Sequence, residues 1–137
     1  MVSQTISYLG RLRCSAVHGP SSVQFITDAP TDNFGRGESF SPTDLLVTAL
    51  ATCMVTTMGI RAQRDGVSLD GTKLYVEKHM SSQPPRRITR IVVRIEMPPG
   101  IAPPYRPVME QTARTCPVAQ SIHPGIDVEL SIRYRDK

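Results

Sequence analysis

The sequence has no tryptophan, few aromatic residues and only three cysteines. Each of these low counts makes certain classes of protein less consistent with the sequence. Aromatic residues make up 5% of the 137 residues, so a surface that stacks nucleic-acid bases on aromatic rings is not indicated. Cys14, Cys53 and Cys116 form no CxxC pair and are too few for a disulfide framework. In a reducing compartment, a pair among them would be transient and catalytic, or the cysteines would be buried and inert.

The charge of the chain does not point to nucleic acid either. The formal net charge is +4, but the arginines are spread along segments that read as strands, with acidic residues between several of them. This distribution is typical of solvated strand faces, and an anionic partner is the alternative.

The sequence also gives no sign of secretion or of a membrane span. Its start, MVSQTISYLG, lacks the basic residues and apolar run of a signal peptide, so we expect a cytoplasmic protein. The most apolar stretch, Leu45 to Ile60, has 16 residues and contains four threonines, which falls short of the roughly 20 apolar residues that a span requires.

Local patterns in the first half predict two strands, a loop and a long helix. Residues 3–14 and 23–27 read as strands around the turn HGPSS at 18–22, and residues 28–40 read as a loop. Ser41 is a helix N-cap, with Pro42 at the first helical position and Asp44 placed to bond back to the cap. Asp65 and Gly66 mark the end, so the helix should have about 22 to 24 residues.

The second half predicts further strands and shorter helices. Residues 73–77, 90–97 and 127–135 alternate apolar and polar side chains, as half-buried strands do. A second helix is expected over about 106–115 and a short helical turn over 117–122. The order predicts an α+β fold in a single domain spanning 1–137.

The surroundings of two cysteines suggest chemistry without deciding it. Cys116 precedes the turn that begins at Pro117, where a helix dipole would favour a thiolate, but it could equally be a small packing residue. Cys53 lies in mid-helix, where apolar burial would disfavour its thiolate unless a cation were supplied. The loop before the helix carries Arg36 and Glu38, which could be that cation and its carboxylate, or an exposed salt bridge.

Two longer motifs carry a resemblance to a known family. GESFSPTDLLVTALATCMVTTMGIRAQRDGVSLDG at 37–71 and ARTCPVAQSI at 113–122 together resemble the OsmC/Ohr family of osmotically inducible and organic hydroperoxide resistance proteins. The resemblance covers essentially the whole chain from Gly37 onward. The departures described below make it look like a divergent OsmC-like branch more than an organic hydroperoxide resistance protein.

The resemblance implies a thiol-dependent peroxidase that protects against oxidative stress. It implies the OsmC-like fold, with a long central helix, sheets wrapped outside it, and an intertwined homodimer with active sites at the subunit interface. Cys53 would attack the peroxide and Cys116 would resolve it as a disulfide, which an external dithiol reduces. No metal or organic cofactor is implied, and Cys14 would be structural.

The residues that would activate Cys53 depart from the family pattern. Organic hydroperoxide resistance proteins place a glutamate ten residues before the first cysteine, where this chain has Thr43. Glu38 is then the candidate carboxylate, with Asp44 second. The family's hairpin arginine is absent from HGPSS, which leaves Arg36 or His18 as the candidate cation.

Two other classes of function stay open. The domain could bind a small ligand or sense redox state without catalysis, as the missing arginine and glutamate suggest. Alternatively, Cys53, Cys116 and His123 could hold a metal, although their spacing lacks the usual paired ligands.

Overall fold

A computed structural model describes residues 1–135, which contain six strands and two α-helices. The strands are β1 Gln4–Gly10, β2 Arg13–His18, β3 Gln24–Asp28, β4 Lys73–Met80, β5 Ile88–Glu96 and β6 Asp127–Arg133, and the helices are α1 Pro42–Arg64 and α2 Arg106–Arg114. The chain divides into two compact units, Met1–Leu46 and a second that begins at Val47. The predicted α+β class is confirmed.

The first unit contains an antiparallel sheet in the order β1-β2-β3. The predicted turn at 18–22 joins β2 to β3, but the single strand predicted over 3–14 is wrong because the chain reverses between Gly10 and Arg13. Arg11 and Leu12 form this turn with φ angles of 55° and 64°. Such angles are usually adopted by glycine or asparagine. Arg11 and Leu12 therefore gave no indication of a turn in the sequence.

The loop after β3 leads to the start of α1, and both agree with the prediction. A single 3₁₀ turn, Thr31–Asn33, interrupts the loop. The Asp44 N–H donates to Ser41 Oγ at 3.1 Å, and the Ser41 N–H donates to Asp44 Oδ2 at 2.9 Å. This reciprocal pair is a capping box, which satisfies two backbone donors that the helix cannot satisfy itself.

Helix α1 has the predicted length and the predicted end. It has 23 residues, and Gly66 follows it with a φ of 72°. The Val67 N–H then donates to Ala62 O at 2.8 Å, which closes the last turn. The helix is long and apolar enough to pass a test of length and composition for a membrane span, with a mean hydropathy of 1.6 in its most apolar window. That evidence is weak, because core helices of soluble proteins pass the same test.

The second unit contains a sheet in the order β4-β5-β6, with β4 antiparallel and β6 parallel to the central strand. Residues in register form apolar rows across the three strands on one face. One row is Leu74, Ile95 and Ile132, and the next is Val76, Val93 and Leu130. Ile95 and Val93 are fully buried, so this face lies on the core of the unit. The core also holds Leu50, Met54, Met58 and Met109.

The segment after α2 forms short helical turns, as the sequence predicts, without becoming a regular helix. α2 itself agrees with the sequence, but residues 117–122 form hydrogen-bonded turns and no regular helix. The Gln120 N–H donates to Cys116 O at 3.1 Å, and the Ile122 N–H donates to Val118 O at 3.1 Å. Six residues between two prolines are too few to repay the cost of nucleating a helix, so the segment stops at isolated turns.

Candidate functional site

Cys53 is carried by the middle of α1. Its side chain is partly buried and packs against the core of the second unit. Its sulfur lies 3.9 Å from the Thr57 hydroxyl, one helical turn further along. Side chains four residues apart share a face of a helix, so α1 alone fixes this contact.

Cys116 follows α2 and is fully buried in the core of the same unit. Burial raises the pKa of the Cys116 thiol, and the Ala119 N–H, which donates to its sulfur at 3.5 Å, opposes that shift in part. The backbone N–H groups of the turn after Cys116 do favour its thiolate, as expected, but the cost of burial outweighs them and the pKa of Cys116 is raised. A buried thiol in apolar surroundings is held neutral instead.

The structure brings these two thiols together. The Cys53 thiol is close enough to Cys116 to hydrogen-bond with it and to act on its charge, and both effects raise the pKa of Cys116 further. Both cysteines are free in the structure. Two neighbouring free thiols, one fully buried and one partly exposed, are the reduced form of a candidate redox pair.

Arg36 and Glu38 lie in the first unit, where a second guanidinium joins them. Glu38 Oε1 lies 3.8 Å from Arg36 Nη1 but 3.2 Å from Arg13 Nη2. Arg13 also contacts Asp28 Oδ2 at 3.3 Å, and Asp28 accepts a hydrogen bond from the Glu38 N–H at 3.0 Å. That N–H, together with the Arg13 charge, holds the pKa of Asp28 below its usual value despite the cost of burial.

Comparison with known proteins gives the family. The family model of the OsmC-like proteins matches residues 35–131. The chain belongs to the OsmC-like family.

Solved structures agree with this assignment. A Psychrobacter arcticus protein named for osmotic stress induction and a detoxification response is 43% identical, with 97% of this chain and 96% of that chain covered and a TM-score of 0.92. Two organic hydroperoxide resistance proteins share the fold. The one from Legionella pneumophila is 17% identical, covers 96% of each chain and has a TM-score of 0.76. The one from Elizabethkingia anophelis is 13% identical, with 98% and 96% covered and a TM-score of 0.78.

No protein with a curated description matches this OsmC-like chain by sequence. The resemblance inferred from the two cysteine motifs is confirmed by the family model and the structures.

The sequence analysis did not identify two residues of the candidate site, Arg13 beside Glu38 and Thr57 beside Cys53. Arg13 stands opposite Asp28 in the β2–β3 pairing, and only the correct hairpin register shows it. Thr57 could have been found, because four residues separate it from Cys53 on a predicted helix.

The residues named for a metal site do not form one in the described part of the chain. Within residues 1–135, no three histidine, cysteine, aspartate or glutamate side chains are placed to hold an ion. His123 Nδ1 accepts a hydrogen bond from the Gly125 N–H at 2.8 Å.

Proposed function

We propose that this protein is a thiol-dependent peroxidase that reduces organic hydroperoxides or hydrogen peroxide. The observation that carries the proposal is the pairing of the Cys53 and Cys116 thiols within one unit. Membership of the OsmC-like family supports it, as do the fold neighbours named for organic hydroperoxide resistance.

The reaction follows from the different positions of the two sulfurs. The Cys53 thiolate attacks a peroxide oxygen, the O–O bond breaks, and the leaving alkoxide takes up a proton to become an alcohol or, from hydrogen peroxide, water. Cys53 is then a sulfenic acid. The Cys116 sulfur attacks it, a disulfide forms, and water leaves. An external dithiol reduces the disulfide by thiol exchange and restores both thiols.

Arg36 and Glu38 are proposed as the cation and carboxylate that support the Cys53 thiolate. Their separation of 3.8 Å is that of a loose ion pair on exposed side chains. The Arg13 guanidinium is fixed in position more firmly than that of Arg36. Two carboxylates contact Arg13, and its side chain is 30% exposed, whereas the Arg36 side chain is 72% exposed. Replacing each arginine with lysine in turn, and measuring the rate of peroxide consumption, distinguishes them.

We propose that the active form is a homodimer, with its active sites at the interface. The support is the number of large apolar side chains that the chain leaves exposed in its first unit. They are Ile6, Tyr8, Leu9, Leu12, Val23, Phe25, Ile26, Phe34 and Phe40. Exposed apolar side chains in this number are typical of a surface that another chain covers. Sedimentation equilibrium of the purified chain gives the mass directly, and a monomer at micromolar concentration would contradict the proposal.

The experiment that tests the peroxidase adds one equivalent of cumene hydroperoxide to the reduced protein and maps cysteine linkages by mass spectrometry. A Cys53–Cys116 disulfide is expected, with Cys14 reduced as an internal control. Cys53→Ser should abolish turnover, whereas Cys116→Ala should permit one oxidation and then stall. Full turnover by Cys53→Ser, or two untouched thiols in the natural chain, would refute the mechanism.

A second candidate is binding of a small ligand without catalysis. It is favoured by a cavity of about 590 Å³ in the first unit, within the size range of ligand sites. Its lining includes Phe25, Ile26 and Ser39, together with Asp28 and Glu38, which already pair with Arg13. A neutral or cationic polar group with an apolar tail would therefore suit it. Ligand binding that persists in Cys53→Ser, with no peroxide consumed by the natural chain, would favour this function.

A further inference from the structure

The Thr57 hydroxyl makes a different contact from other helical threonines in the chain. A threonine inside a helix commonly donates to the carbonyl four residues earlier. Thr52 Oγ1 does so to Thr48 O at 2.8 Å, and Thr112 Oγ1 does so to Val108 O at 2.7 Å. Thr57 Oγ1 instead contacts the Cys53 sulfur, at 3.9 Å.

We propose that Thr57 is a positioning residue for Cys53, whose hydroxyl donates to the sulfur and holds it as the reactive thiolate. The inference rests on the proposed function, in which Cys53 is the attacking sulfur. A hydrogen bond to the charged form of a group favours that form. Cys53 needs such a donor because the middle of a helix offers neither a free backbone N–H nor a dipole end.

The two neighbouring thiols have different surroundings. Cys116 is fully buried, and its neighbour Cys53 raises its pKa further, so Cys116 is held neutral. Cys53 is only partly buried and has the Thr57 hydroxyl one turn away. The Thr57 hydroxyl therefore faces the sulfur of the pair that reagents can reach. The donor and the sulfur belong to one helix, so the arrangement is independent of any other element.

The test is the pH dependence of alkylation of Cys53 by iodoacetamide, followed by mass spectrometry of the cysteine peptides. Thr57→Val keeps the shape of the side chain and removes the hydroxyl. The contact is long, so its loss should count no more than that of one ordinary hydrogen bond, and the midpoint of the Cys53 alkylation profile should rise by about half a unit to one unit. The rate at pH 7 should then fall roughly three- to tenfold.

Two further variants separate positioning from mere packing. Thr57→Ser keeps the hydroxyl and should retain the natural profile. Thr52→Val removes a hydroxyl that bonds to the backbone and should leave the Cys53 profile unchanged. A Thr57→Val profile that coincides with the natural one, or a Thr57→Ser profile shifted as far as the valine variant, would overturn the inference.

Alkylation requires no peroxide, so the two proposals can fail separately. If the valine variant shifts the profile while cumene hydroperoxide leaves both thiols intact, the role of Thr57 stands and the peroxidase is refuted. If the disulfide forms and the profile does not move, the peroxidase stands and the role of Thr57 is refuted.

Discussion

Removing the cap of α1 should destabilise the fold by an amount that the structure sets. Ser41 Oγ accepts the Asp44 N–H at 3.1 Å, and the serine is only 1% exposed. Ser41→Ala leaves that donor without its acceptor at a position that water does not reach. Loss of an N-cap lowers the free energy of unfolding by about 0.5–2 kcal/mol. Because Ser41 is buried, we expect a loss in the upper half of that range, at about 1.5 kcal/mol. For a chain of this size that is about 5 °C in Tm.

The other half of the capping box should cost less. Asp44→Asn keeps an oxygen that can accept the Ser41 N–H, which now donates at 2.9 Å, and removes only the negative charge at the helix N-terminus. That charge is worth about 0.3–1 kcal/mol. Because the two side chains form one reciprocal unit, Ser41→Ala combined with Asp44→Ala should cost less than the sum of the single changes.

Urea unfolding at a fixed protein concentration measures these free energies, since a dimer would make stability depend on concentration. Ser82→Ala, in the exposed loop between β4 and β5, is the matched control and should change little. A Ser41→Ala protein within about 0.3 kcal/mol of the natural one would refute the reasoning. If Asp44 is only a cap, Asp44→Asn should also form the peroxide-driven disulfide at the natural rate.

Three further outcomes follow from burial and charge. Leu50→Ala should lower the free energy of unfolding in urea by about 3 kcal/mol, because Leu50 is fully buried and its neighbours cannot close the cavity completely. Asp28→Asn should make the free energy of unfolding depend less on pH under acidic conditions. The depressed pKa of Asp28 stabilises the folded chain at pH values above the pKa of this carboxyl in the unfolded chain, and that stability is lost as the pH falls through its pKa in the folded chain. Acid titration followed by circular dichroism checks this. In native protein at pH 8, iodoacetamide should label Cys116 more slowly than Cys53, because burial raises the pKa of Cys116, and 6 M urea should remove the difference.

The long helix could be predicted because its signals are local. Ser41, Pro42 and Asp44 specify its start within four residues, and Gly66 specifies its end. A capping box and a glycine that adopts a positive φ act through neighbouring backbone groups, so no distant contact has to be known. The apolar rows of the second sheet were predictable for the same reason, since a period of two is a property of each strand alone.

The turn between β1 and β2 could not be predicted from the same kind of signal. Arg11 and Leu12 adopt left-handed φ angles that cost a side chain energy, and pairing of the two strands must offset that cost. Tyr8 pairs with Cys14 and Ser7 with Ser15 on either side of the turn. The conformation is thus imposed by the sheet, and the residues in the turn do not reveal it.

The candidate site also has one part that could be predicted from the sequence and one part that could not. The cysteine pair was predicted through a resemblance that spans two separate motifs, and the structure places both thiols in one core. Arg13 was missed because its contacts with Asp28 and Glu38 depend on the register of the β2–β3 hairpin and on the path of the following loop. The sequence suggests ion pairs between near neighbours such as Arg36 and Glu38. The shorter contact of Glu38 is instead with Arg13, 25 positions away.

The burial of the two sulfurs also predicts the order in which they oxidise. Cys116 is fully buried, so a peroxide cannot reach it without opening of the core, whereas Cys53 is partly exposed. The Cys116 thiol is also held neutral, and thiolates are the attacking species. Cys116 should therefore react only after Cys53 has become a sulfenic acid beside it. In Cys53→Ser, Cys116 should stay reduced under an excess of cumene hydroperoxide that fully oxidises the natural chain, as read by mass spectrometry. Sulfinic acid on Cys116 in that variant would show that the core opens to peroxide, and burial would then not set the order.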